Sequence, residues 1–200
     1  MKIAVVVPRY GPDIVGGAET LVRGLAERIQ RDDSEIEMEA LTTCARDHIT
    51  WKNYYREGRE MINGVPVRRF AVNENRDVRR FEELLLKISL DWVIPVEEQY
   101  EWVEVNVHSA RLYDYIERSG DKYDYFLFAP YLFGTTYYGA SIFPHKSIIC
   151  PCLHNEVFAY FEATRLVLEN CRGIMFNSEP EMKLARDQLG IKNANARVVG

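Results

Sequence analysis

His154 stands in the run Cys150-Pro151-Cys152-Leu153-His154-Asn155-Glu156, directly after an apolar segment and ahead of a helical pattern. An imidazole donates and accepts protons near neutral pH, so His154 is a candidate acid/base or hydrogen-bonding residue. If the preceding strand continued, alternation would place Cys150, Cys152 and His154 on one side, an arrangement that zinc can use. Pro151 interrupts that strand, and the Cys-x-x-Cys spacing of common zinc sites is absent.

A second candidate is the loop Tyr10 to Glu19, in which Gly16 and Gly17 directly precede a helical pattern. Backbone N–H groups and the helix dipole at such a turn can face a phosphate. The plain alternative is a tight strand-to-helix connection. The loop is not a P-loop, since it lacks Gly-Lys-Ser/Thr, and GxGxxG cannot be matched. The second strand also ends at Thr42-Thr43-Cys44, without the acid that binds a dinucleotide ribose.

Pro130 to Gly139 mixes Tyr131, Tyr137 and Tyr138 with Thr135 and Thr136. Rings beside hydroxyls suit a pyranose, whose faces are apolar and edges polar, although a packing helix reads the same way. Phe176-Asn177-Ser178 follows another apolar segment, and there Ser178 is an N-cap with Glu181 closing a capping box. Glu97, Glu101, Glu104 and His108 share a helical stripe, readable as a solvated face or a carboxylate metal site. Arg68, Arg69, Arg76, Arg79 and Arg80 form a basic cluster, readable as an exposed patch or a contact for an anionic acceptor or lipid head group.

The elements that must position these residues alternate. Strands are predicted over Lys2–Val7, Ile36–Leu41, Gly64–Phe70, Tyr125–Ala129, Ser147–Cys150 and Gly173–Phe176, with another opening at Ala196. Helices are predicted over Ala18–Gln30, Arg79–Leu90, Glu97–Ile116, part of Pro130–Phe143, Val157–Cys171, and from Ser178 onward. Trp51 to Arg59 reads as an excursion. The pattern predicts a doubly wound α/β fold, a mostly parallel sheet with helices on both faces. In such sheets ligands bind outside the carboxyl ends of the strands, where the candidate loops lie.

Two hundred residues suffice for one domain with a full core. A net charge of −5 argues against an electrostatic nucleic-acid binder. No run approaches the roughly 18 apolar residues of a membrane helix. Cys44, Cys150, Cys152 and Cys171 show no disulfide spacing, and the N-terminus does not read as a signal peptide, so a cytoplasmic protein with reduced thiols is expected.

Lys2-Ile3-Ala4-Val5-Val6-Val7-Pro8-Arg9-Tyr10, with Gly16-Gly17-Ala18-Glu19, resembles the N-terminal half of family 4 (group 1) glycosyltransferases of the GT-B fold. Cys152 to Glu156 is similar to the His-containing loop of that family, and Phe176-Asn177-Ser178 with Glu181 resembles its later strand-to-helix step. The resemblance implies two Rossmann-like domains across a cleft, the N-terminal one holding the acceptor. It implies a retaining transfer from a nucleotide-sugar donor to a carbohydrate or lipid-linked hydroxyl, with no cofactor and no metal. Gly16 and Gly17 would approach the donor diphosphate, and His154 would sit by the transferring sugar. Tyr10, Tyr131, Thr135, Asn155 and Glu156 would face the acceptor or the cleft. Asn155 departs from the Asp found in many members, which removes a charge there.

A chain ending on a strand at Gly200 reads as the acceptor half cut before its donor-binding domain, expected to fold but not to transfer sugar efficiently. Peripheral contact with the inner face of a membrane is compatible with that reading. Two other functions share the architecture: a stand-alone carbohydrate- or lipid-binding module, and a nucleotide-dependent oxidoreductase, against which the missing GxGxxG counts.

Overall fold

The computed structural model describes residues 1–199. Eight strands form one sheet: β1 (Lys2–Val6), β2 (Glu37–Thr43), β3 (Gly58–Ile62), β4 (Val65–Phe70), β5 (Tyr125–Phe128), β6 (Ser147–Ile149), β7 (Gly173–Phe176) and β8 (Ala196–Val198). Their order is β3-β4-β2-β1-β5-β6-β7-β8. Every pairing between these strands is parallel except β3 with β4. The helices are α1 (Gly17–Asp32), α2 (Val78–Ser89), α3 (Val96–Glu104), α4 (Ala110–Ser119), α5 (Gly134–Ile142), α6 (Glu162–Asn170) and α7 (Glu179–Lys183). The doubly wound, mostly parallel α/β fold expected from the alternation is therefore the observed one.

The continuous apolar run of β1 is explained by burial on both faces. Val5 and Val7 pack with Val22 and Ala26 of α1 on one side. Ala4 and Val6 pack in the other core with Leu112 and Ile116 of α4 and Ala140 of α5. Burying each such leucine or isoleucine stabilises by roughly 1.5–3 kcal/mol, which is what fixes the central strand and its loops. The chain leaves β1 for β2 on one side and returns to β5 on the other, so the β1/β5 boundary is a topological switch point.

Three expectations are corrected. The excursion over Trp51–Arg59 ends in a strand, β3, which pairs antiparallel with β4 through Ile62↔Val65. Asn63 and Gly64 both take positive φ, 49° and 84°, as a two-residue hairpin turn demands. The single helix over Glu97–Ile116 is two. It breaks after Glu104, where Asn106 caps Val107 N–H through its own side chain and Ser109 Oγ accepts from Leu112 N–H to start α4. The helix over Val157–Cys171 starts as a short 3₁₀ turn, Val157–Tyr160, and becomes α-helical only at Glu162. Phe158 stacks on Trp102 with centroids 4.7 Å apart and Phe161 is buried, so aromatic packing sets this segment against its helical propensity.

Candidate functional site at the carboxyl ends of the strands

The glycine loop between β1 and α1 is organised by a buried ion pair. Arg9 and Glu19 are both 6% exposed, and Arg9 Nε donates to Glu19 Oε1 at 3.0 Å while Arg9 Nη2 reaches the same oxygen. Glu19 lies in the first turn of α1, where the dipole favours a carboxylate. Arg9 also lies over the Trp51 ring at 5.8 Å. The two glycines are unlike. A Cβ on Gly16 would lie 2.2 Å from Glu19 Oε2 and 3.2 Å from Arg9 Nη2, whereas a Cβ on Gly17 would meet nothing within 4 Å. Gly16 makes room for the ion pair, and Gly17 faces open space.

The histidine loop leaves β6 on the same edge of the sheet. His154 and Asn155 are exposed. They line a cleft of about 680 Å³ with Cys152, Asn177, Glu181 and Lys183. The loop is held by Glu181, whose buried carboxylate accepts from Leu153 N–H at 2.8 Å and from Asn177 N–H at 2.6 Å. Ser178 caps α7 through Glu181 N–H at 3.3 Å, as expected. The carboxylate, however, tethers the neighbouring loop and does not close the reciprocal half of a capping box.

Cys152 takes φ 55°, which ends the alternation that would have aligned Cys150, Cys152 and His154. Among the described residues no group of three or more His, Cys, Asp or Glu is placed to hold a metal ion. The two thiols instead meet Asn177, whose Nδ2 donates to Cys152 Sγ at 3.4 Å and whose Oδ1 accepts from Cys150 at 3.5 Å. Contact with Cys152, together with burial, holds the Cys150 thiol well above the ordinary range, so it stays protonated. Hydrogen bonding from Cys150 lowers the Cys152 pKa, and the charge of Glu19 acts on Cys152 in the opposite sense, which ties the two loops electrostatically.

Three cleft candidates are not at the surface. Tyr131 is fully buried and donates to Glu156 Oε1 at 2.7 Å, while its N–H donates to Pro151 O at 3.1 Å. It positions the histidine loop from beneath. Tyr10 and Thr135 are 1% exposed, and their hydroxyl oxygens have no hydrogen-bond partner. Burial pushes the Tyr10 phenol above its ordinary range. The interior takes up these residues: the ring-and-hydroxyl pattern offered Tyr131 and Thr135 for the cleft, and the family resemblance added Tyr10. Asn155 Oδ1 accepts from Tyr160 OH at 2.8 Å, and Glu156 is half-buried. Glu97, Glu101 and Glu104 stay together on α3, but His108 leaves their stripe. His108 lies beyond α3, with Nε2 2.7 Å from Val103 O and Nδ1 2.9 Å from Tyr113 OH, while Glu101 pairs with Arg80.

Of the functional residues, sequence reasoning left Arg9 and Glu19 without roles and gave Glu181 only half of its work. The sequence showed an acid in the first turn of α1 and an arginine in the loop beyond β1, but nothing that joined them.

The strand order and the loops at the strand ends define a Rossmann-like α/β domain. The structure aligns over 99% of its length with sucrose-phosphate synthase from Thermosynechococcus elongatus, at a TM-score of 0.54 and 14% identity, covering 47% of that chain. A second, shorter chain of the same enzyme aligns equally well, with 87% of it covered. The present chain thus spans about half the length of the first of these. No protein-family profile matches the sequence, and no curated protein matches it.

Proposed function

We propose that the chain is the N-terminal, acceptor-side half of a retaining, family 4-type glycosyltransferase that moves a hexose from a nucleotide-sugar to a hydroxyl of a glycan or lipid-linked acceptor. The observation carrying this reading is that an exposed His154, on a loop pinned by Glu181, and an unobstructed Gly17, on a loop pinned by Arg9–Glu19, share the carboxyl edge of one sheet. The likeness to sucrose-phosphate synthase supports it at the level of fold.

In this reading the donor diphosphate approaches the backbone at Gly17, where no side chain intervenes. The imidazole of His154 hydrogen-bonds a hydroxyl of the transferring sugar and stabilises the charge that builds as the sugar–phosphate bond breaks. The leaving diphosphate accepts the acceptor's proton on the same face, which retains configuration. Cations that neutralise the diphosphate, usually the largest catalytic contribution, belong to a second domain. The isolated chain is accordingly expected to be inactive. Asn155 and Glu156 border the acceptor side. Metal is not required, and a cytoplasmic setting, with contact to a membrane surface where the acceptor is lipid-linked, fits the absence of any helix long and apolar enough to cross a membrane among the described residues.

The test is a panel of nucleotide-sugars offered to the natural protein that carries this chain, in excess EDTA, with released nucleoside diphosphate and the product anomer as readouts. Donor-dependent release with retained configuration supports the reading. Absence of release with every donor, or an inverted product, overturns it.

A further inference from the structure

A second surface, sharing no residue with the histidine cleft, concentrates positive charge. A groove of about 560 Å³ runs between the β3–β4 hairpin and α4. Six cationic side chains and two carboxylates line it, in a protein whose net charge is −5.

The groove is built in a way that folding alone does not favour. Arg59 and Arg68 are directly opposed across the antiparallel ladder, so both side chains leave the same face, and like charges in that position destabilise a sheet. Arg111, Tyr115 and Arg118 are spaced three and four apart on α4, which puts them on one helical face toward the hairpin. Lys122 follows just past the helix end.

Partners are scarce. Arg111 is satisfied by Glu57. Arg68 lies 4.3 Å above the Tyr115 ring and reaches Glu39 only at 3.4 Å, leaving its buried Nη2 without a hydrogen-bond partner. Arg59, Arg118 and Lys122 are exposed and lie in no ion pair among the described residues. A half-buried guanidinium with one unpartnered nitrogen, in a groove that three unpaired cations also line, matches the several acceptor oxygens and double charge of a phosphate.

We infer that this groove is a binding site for a phosphate-bearing ligand, with the half-buried Arg68 as the anchor and Arg59, Arg118 and Lys122 as the clamp. A soluble phosphate ester and a phosphorylated lipid head group present the same chemistry, and two arms separate them.

Inorganic pyrophosphate is titrated calorimetrically into the natural protein. In parallel, the protein is sedimented with vesicles of phosphatidylcholine, with and without phosphatidic acid. The R59Q/R118Q variant, whose positions are exposed, keeps the fold, and its unliganded melting temperature is no lower than the parent's. It is expected to bind in the responsive arm at least tenfold more weakly. R28Q/R31Q, which removes two exposed cations of α1, both paired with Asp32, serves as the charge control and should bind as the parent does. Pyrophosphate binding assigns a soluble ligand, and binding only to phosphatidic acid vesicles assigns a head group. No binding in either arm, or equal losses in the two variants, overturns the site.

Discussion

The glycine loop and the histidine loop stand on the same sheet edge, and each is fixed by one buried glutamate, but the two carboxylates are satisfied differently. Glu19 is held by a charged partner, Arg9, in a side-chain pair. Glu181 is held by two backbone N–H groups, of Leu153 and Asn177, and so ties two strand-to-helix loops together. An ion pair is a unit that two compatible apolar residues can replace. A carboxylate that satisfies backbone donors has no such substitute, because the N–H groups remain whatever side chain stands there. The first loop is therefore fixed by a replaceable part and the second by an irreplaceable one.

The largest expected effect tests the first half of that contrast. Arg9→Ala strands a buried charge and should cost about 4 kcal/mol in chemical denaturation, while the double change Arg9→Met with Glu19→Leu should return to within about 1 kcal/mol of the parent. Glu181→Ala leaves two donors unpaired and should cost about 3 kcal/mol, and no apolar replacement of Glu181 should restore it. An apolar variant as stable as the parent would erase the distinction.

Smaller effects sharpen it. Gly16→Ala puts a methyl against the locked Glu19 carboxylate, at an expected cost of about 2 kcal/mol. This cost should vanish in the Arg9→Met, Glu19→Leu background.

His108 probes a region outside both loops. Burial holds its pKa below the ordinary 6.5, so the folded state resists protonation. The stability it contributes is present above pH 6.5 and is lost as pH falls below that value. The slope is at most about 1.4 kcal/mol per pH unit, and His108→Gln should flatten it in thermal melts between pH 5 and 6.5.

Gly17→Ala should change stability by less than about 0.5 kcal/mol, since the added methyl meets nothing. Any loss of donor use in that variant would then be a local effect.

Alternation of apolar runs with helical patterns was enough to read the parallel sheet, because strands buried on both faces must be continuously apolar. The β3 hairpin was legible too, in Asn63-Gly64, a pair suited to a two-residue turn, but Gly64 was taken only as the start of a strand. The break between α3 and α4 was harder to see, since it depends on Asn106 and Ser109 bonding to backbone in place of continuing the helix. His154 and Gly17 were placed at the strand ends because the topology fixes which loops lie there. Tyr10 and Tyr131 are buried where the cleft was expected because an aromatic in a loop and an aromatic under a loop have the same sequence, and Thr135 because a helix does not reveal which of its faces is covered. The Arg9–Glu19 pair and the reach of Glu181 are contacts between elements, which no local pattern encodes.

The most direct test of the account is the steady-state kinetics of His154→Ala in the natural protein that carries this chain, with donor varied and folding checked by circular dichroism. His154 is exposed and free of structural hydrogen bonds from its ring among the described residues, so the variant should fold normally. The account predicts a fall in kcat of at least about 100-fold with the donor KM within about threefold of the parent. An unchanged kcat, or a loss confined to KM, would contradict it.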